Sequence, residues 1–183
     1  MSLPILATTD LCDAHPEAIQ VLTLPWRSLG GRGGCQGRIS TIKAYEDNSR
    51  VREAVAEPGQ GRVLLIDAGG SLARAMLGDQ LAARAVANGW EGILIVGAIR
   101  DSAIIATLDL DVKALGCCPR KTDKLGAGQR DVPLEIAGVT VKPGQWLYAD
   151  DDGVIISDRA LNLESSPLPI KVFDDPFEAI PAT

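Results

Sequence analysis

The chain has 183 residues, one average domain with some excess, and its 18 Lys and Arg against 24 Asp and Glu leave a formal charge of −6. That length buries a core without disulfides or metal, and an acidic chain with no basic run lacks the positive footprint of a direct RNA or DNA binder. The single histidine, His15, rules out a His-rich zinc site, so any metal chemistry would rest on carboxylates.

Apolar residues make up 46% and aromatics 4%, with 19 Gly, which points to a core of Ala, Val, Ile and Leu joined by tight turns. Cys12, Cys35, Cys117 and Cys118 show no C-x-x-C spacing, so reduced thiols are the default reading. Met1-Ser2-Leu3-Pro4 is not followed by a signal-peptide pattern, and no apolar run approaches the ~20 residues of a membrane span. The expectation is a soluble, cytoplasmic protein without membrane contact.

Along the chain, residues 8–18 read as a helix capped by Thr9 or Asp10. Gly30-Gly31-Arg32-Gly33-Gly34 is a loop; no Gly-Lys-Ser/Thr follows, so it is not a phosphate-binding loop. Residues 38–45 alternate as a strand, and 48–56 form a helix ended by Pro58-Gly59. Arg62–Asp67 is a short apolar run of the buried-strand type, Ala68-Gly69-Gly70-Ser71 turns the chain, and 72–77 reads as a helical turn. Asp79 then fits the N-cap of a helix to Ala87, with Gly89 at C′, before a second buried strand over 92–96. Together these segments make a βαβ unit, whose ligands gather at the carboxyl ends of strands and at helix N-termini. After a strand over 109–115 and a polar, Lys-rich loop over 119–128, the pattern becomes mostly antiparallel: 132–136, 139–141, 146–149 and 154–156. The expected fold is α/β, a single layered α/β/β domain over residues 1–161 with an extended, Pro-rich C-terminal arm over 162–183. That arm carries Val172, Phe173 and Phe177, which could pack on the body or on a neighbouring subunit.

Arg100-Asp101, directly after the second buried strand, is the sharpest chemical signal. Arginine offers a planar fork for a carboxylate, aspartate a hard oxygen ligand for a magnesium-like cation, and the amides of Gln80 and Leu81 could receive an anion. A surface ion pair beside an ordinary N-cap explains the same residues equally well. Other readings are weaker. Asp67-Ala68-Gly69-Gly70 only partly matches a methyltransferase cofactor loop. His15 lacks a nucleophile, Cys117-Cys118 read as two buried small residues, and nothing marks Lys43 or Lys113 as a Schiff-base lysine. Asp150-Asp151-Asp152-Gly153 reads as a hairpin turn, since no bidentate Glu follows at the offset of a calcium loop.

Seven ordered segments, Asp10-Leu11-Cys12-Asp13, Gly30-Gly31-Arg32, Tyr45-Glu46-Asp47-Asn48, Asp67-Ala68-Gly69-Gly70-Ser71, Gly97-Ala98-Ile99-Arg100-Asp101, Ala137-Gly138-Val139-Thr140 and Tyr148-Ala149-Asp150-Asp151-Asp152-Gly153, resemble the RraA family over residues 8–161. Its members are named as regulators of ribonuclease E activity or as 4-hydroxy-4-methyl-2-oxoglutarate aldolases. The resemblance implies a swivelling-domain-like fold and a homotrimer with sites between subunits. Asp79, then residues 80–99, then Arg100-Asp101 matches the Asp-x20-Arg-Asp signature of the metal-dependent aldolases. It further implies that Asp101 ligates a divalent cation (Mg or Mn) directly and Asp79 through water. Arg100 with Gly78, Asp79, Gln80 and Leu81 would bind the pyruvate-like end of a small 2-oxo-acid substrate, Arg100 and Asp79 being catalytic. The implied reaction is cleavage of 4-hydroxy-4-methyl-2-oxoglutarate into two pyruvates through an enolate, with secondary oxaloacetate decarboxylation. The alternative is a protein-binding inhibitor of ribonuclease E, whose acidic surface would dock on a basic arm of its partner.

Overall fold

The structure, a computed structural model, describes residues 4–162. In chain order it comprises α1 (Thr8–Ala14), β1 (Ile19–Val21), β2 (Arg27–Ser28), β3 (Cys35–Lys43), α2 (Ser49–Ala56), β4 (Val63–Asp67), β5 (Ala75–Leu77) and α3 (Asp79–Ala87). There follow β6 (Gly92–Ile99), α4 (Ser102–Ile105), β7 (Asp111–Cys117), β8 (Gln129–Arg130), β9 (Leu134–Ile136), β10 (Val139–Val141), β11 (Trp146–Ala149) and β12 (Val154–Ser157). The main sheet runs β1-β12-β11-β3-β4-β6-β7-β2, with β5 added to β6 and β8 to β3, and β9–β10 form a separate hairpin.

Two buried apolar runs make the centre of this sheet. Because side chains alternate across a strand, Leu64 and Ile66 of β4 and Ile93 and Ile95 of β6 join Val51, Ala54 and Val55 of α2 and Ala82 and Ala85 of α3 in one core. Val63 and Leu65, with Leu94 and Val96, face the other way, against Leu134 and Ile136 of β9, Val141, Leu147, Ala149, Val154 and Ile156. The layered α/β/β architecture follows from this two-sided burial. A third, small core of Leu11, Tyr148, Ile155 and Leu161 seats α1 on the outside of β11 and β12.

The nine residues of β3 join the two parts. Cys35 to Arg38 pair antiparallel with β11, whereas Ile39 to Lys43 pair parallel with β4. The strands β3, β4, β6 and β7 are therefore parallel neighbours, and their carboxyl ends share one edge.

Several elements differ from the sequence reading. The first helix stops at Ala14 rather than running to residue 18, because Pro16 holds His15 at φ −133°, out of the helical region. The stretch 72–77 is not a helical turn: Ala75, Met76 and Leu77 are all buried and pair with the end of β6. Asp79 is the first helical residue, and the N-cap is Gly78; Gly89 does take the C′ place, with φ +75°. The strand β3 begins three residues earlier than expected, and β7 is shifted to Asp111–Cys117. Cys117 is exposed and Cys118 half-buried, so they are not two buried small residues. The arm read from residue 162 lies, beyond Asn162 itself, outside the described residues. Among the described residues no helix is long and apolar enough to cross a membrane.

Candidate functional site

The edge formed by the ends of β5, β6 and β7 carries a cavity of about 360 Å³. Gly78, Asp79, Gln80 and Leu81 supply one wall and Arg100 another, so five of the six residues singled out from the sequence meet here. Asp101 sits at the rim. It opens on an adjoining hollow of about 290 Å³ shared with Arg100, Ser102, Cys117, Cys118 and Pro119.

Local backbone chemistry fixes this group. The Arg100 amide donates to Leu77 O at 2.9 Å, which ties the end of β6 to the end of β5. Asp101 then adopts left-handed backbone angles (φ 55°, ψ 35°), conformations available to Asp at modest cost, and its carbonyl accepts from Ile104 and Ile105. This turns its carboxylate back towards α3: Oδ2 accepts from the Asp79 amide at 3.3 Å and lies 3.4 Å from Arg100 Nε. The approach needs a residue without a side chain at 78, since a Cβ there would stand 2.8 Å from Asp101 Oδ2 and 3.1 Å from Arg100 Nε. In the first turn of α3, Gln80 N donates to Asp79 Oδ1 and Ala82 N to Gly78 O. The Leu81 amide has no acceptor among the described residues and remains for an anion.

Asp79 and Asp101 are therefore linked through one hydrogen bond and both reach the surface, their hard oxygens suited to a magnesium-like ion. Among the described residues no group of three or more Asp, Glu, His or Cys converges as a full cage. Two carboxylates with open positions fit Mg²⁺, which keeps several waters and is usually held by one or two carboxylates plus substrate oxygens.

The rest of the lining escaped the sequence reading: Asn48 and Arg52 from α2 and its cap, Arg84 from α3, and Lys121, Thr122 and Lys124 from the loop after β7. The Lys-rich composition of residues 119–128 was the one signal available. Asn48 is buried, and its Oδ1 has no hydrogen-bond partner among the described residues. The lysine loop is held by Asp47, whose Oδ2 accepts from the amides of Leu125 and Ala127 while Oδ1 accepts from Ser49 N. Burial alone would raise the Asp47 carboxyl, but the bonds from Ser49, Ala127 and Leu125 outweigh it and hold the group at about 2.

Other candidates from the sequence lie elsewhere. His15 Nε2 meets Asn162 O at 2.8 Å. Asp150 accepts from Thr8 N and Oγ1, both at 2.7 Å, and from the amides of Asp152 and Gly153, so it closes a turn and anchors α1. In the loop after β4, Gly69 N donates to Asp67 Oδ1, and Ala68 N and Gly70 N both donate to Val96 O. Those amides are spent on the fold and offer nothing to a methyltransferase cofactor. Lys113 is buried, 3.4 Å from Asp111 Oδ1 and donating to Ser28 Oγ, so it is an ion-pair partner rather than a free amine. Burial raises the Asp111 carboxyl, and Lys113 and Cys35 pull it back.

The family model RraA-like, described as Aldolase/RraA, matches residues 8–156. A protein of Ectopseudomonas mendocina provisionally named 4-hydroxy-4-methyl-2-oxoglutarate aldolase is 53% identical over 156 residues, covering 85% of this chain and 96% of the relative. A protein of Alkalilimnicola ehrlichii with the same provisional name is 50% identical over 161 residues, 88% of this chain and 98% of the relative. Among solved structures, the RNA-processing inhibitor RraA of Thermus thermophilis superposes with a TM-score of 0.84 at 40% identity, covering 91% of this chain and 99% of that one. A Geobacillus kaustophilus protein described as an S-adenosylmethionine:2-dimethylmenaquinone methyltransferase gives 0.82 at 45% identity, covering 85% and 97%.

Proposed function

We propose, for a chain that belongs to the RraA-like family of Aldolase/RraA proteins, that it cleaves 4-hydroxy-4-methyl-2-oxoglutarate into two pyruvates with the help of a divalent cation, Mg or Mn. One observation carries this reading: Asp79, Arg100 and Asp101 converge at the mouth of a cavity whose other charged side chains are all cations. Such a lining suits a small acid with two carboxylates.

Asp101 directly and Asp79 through water would hold the cation, which would supply Lewis acidity for the 2-oxo acid. The chain's own groups do the rest. Arg100, fixed beside Asp101, presents its fork to the C1 carboxylate and to the C2 oxygen as negative charge develops there. The Leu81 amide at the positive end of α3 adds a donor on the same side. A water held by Asp79 accepts the proton of the C4 hydroxyl. The C3–C4 electron pair moves into the C2 carbonyl, C4 becomes the carbonyl of the first pyruvate, and the enolate left behind takes a proton at C3 to become the second. Oxaloacetate reaches the same enolate by losing CO₂, so decarboxylation is the expected side activity. The reading includes a homotrimer in which a neighbouring subunit completes the site, the domain ending near residue 161, and a cytoplasmic location.

Pyruvate release from both substrates, with Mg²⁺ or Mn²⁺ and then with EDTA, tests the proposal. Turnover that EDTA abolishes, and that Asp101→Ala and Arg100→Ala abolish, supports it; no pyruvate from either substrate sinks it. Likeness to the RNA-processing inhibitor favours a second reading, inhibition of ribonuclease E, for which retention of ribonuclease E at micromolar concentration is the test.

A further inference from the structure

Arg52, Arg84, Lys121 and Lys124 line the cavity beyond the Arg100 group, and Asp79 is the one acid among the lining residues. Among the described residues none of these four forms an ion pair. What sets them apart is their place: four cations without a carboxylate partner surround one concavity. Mutual repulsion makes that arrangement unfavourable until an anion enters. The elements that carry these exposed side chains are fixed. Arg52 and Arg84 stand on α2 and α3, which pack on the same core, and the lysine loop is bonded through Asp47, through Ser49 Oγ to Gly126 N, and through Arg50 to Gly126 O and Gly128 O.

We infer that Arg52 and Arg84, with the two lysines, form an electrostatic funnel that sets the rate at which a doubly charged 2-oxo acid is captured, without touching the reacting atoms. This rests on the proposed function for the identity of the substrate. Low-dielectric walls focus the field of such a cluster, and the gain in association rate decays with ionic strength. A singly charged 4-hydroxy-2-oxo acid gains less, because steering scales with ligand charge.

The test uses the double variant Arg52→Gln/Arg84→Gln and its charge-keeping counterpart Arg52→Lys/Arg84→Lys. With a doubly charged substrate at low salt, the glutamine variant should lose about tenfold in kcat/KM, with a flatter dependence on ionic strength. The lysine variant should restore both, and a singly charged substrate should show little change. Equal losses for the two substrates, or an unaltered salt dependence, would overturn the inference. The association rate of 2-oxoglutarate, which lacks the hydroxyl needed for cleavage, separates this from the proposed function. If the wild-type protein releases no pyruvate but captures 2-oxoglutarate at a salt-sensitive rate that the glutamine variant loses, the funnel stands and the aldolase reading falls. An association rate indifferent to salt and to both variants removes the funnel.

Discussion

Replacing Gly78 by alanine isolates the geometry of the proposed site from the stability of the fold. The backbone at 78 (φ −128°, ψ 179°) is extended and open to any residue, so alanine brings no backbone strain. Its Cβ would nevertheless stand 2.8 Å from Asp101 Oδ2, and ordinary contact begins at 3.4 Å. The carboxylate must retreat by about 0.6 Å, and Arg100 Nε, at 3.1 Å, by about half of that. Misplacement on the order of 1 Å costs about 100-fold in rate, so a loss of roughly 10- to 100-fold in kcat/KM is expected. Stability should hardly move: alanine is a poorer N-cap than glycine, but it removes about 0.4–1 kcal/mol of unfolded-chain entropy, and the two offset. The melting temperature should therefore stay within about 4 °C. Pyruvate release measured beside a thermal melt of the same preparation decides it. Wild-type kcat/KM in a folded Gly78→Ala protein would refute the idea that the closeness of Gly78 to Asp101 sets the active geometry.

Asp101→Asn preserves shape but removes the charge proposed to hold the cation, so turnover should vanish at every Mg²⁺ concentration while the melt shifts little; activity that returns with excess metal would contradict that role. Lys113→Met leaves the fully buried Asp111 carboxylate without its ion-pair partner and should destabilise by about 3–5 kcal/mol in urea titrations, with Asp111→Asn/Lys113→Met losing clearly less. A double variant no better than the single one would show that the pair is not what matters there. Asp47, held at about 2 when folded against 3.8 when unfolded, contributes stability that is fully present above about pH 4 and is lost as pH falls through 2. Asp47→Asn should be less stable at pH 7 and lose less between pH 4 and pH 2; an identical acid-unfolding profile would count against the loop anchor.

The parts of the fold legible from sequence were those whose burial leaves a pattern. Val63–Asp67 and Gly92–Ile99 are buried on both faces and read as unbroken apolar runs, and the helix between them shows its inner face and its terminal glycine. The strand Ala75–Leu77 left no such trace. Three residues are too few for a period, and its all-buried face arises from pairing with Ala98 and Ile99, which sit more than twenty positions away. Nor could β3 reveal that its first half pairs antiparallel with β11 and its second half parallel with β4, because alternation along one strand is the same for either partner.

The site divides along the same physical line. Asp79, Arg100 and Asp101 could be found because a single βαβ unit brings a strand end and a helix start to one edge, whatever surrounds them. Arg52, Arg84, Lys121 and Lys124 could not, since three of them enter from α2 and from the loop after β7, and only the order β3-β4-β6-β7 places those elements on either side of the cavity. The net charge of −6 pointed the wrong way for them. A sum over the chain weighs every carboxylate equally, including Asp10, Asp13 and Glu17 on and beside α1. A ligand at physiological ionic strength feels charges within a Debye length of about 8 Å. What reaches it inside the cavity is therefore the field of four unpaired cations and Arg100 against Asp79 and, at the rim, Asp101, and that local sign favours a small dianion in a protein that is acidic as a whole.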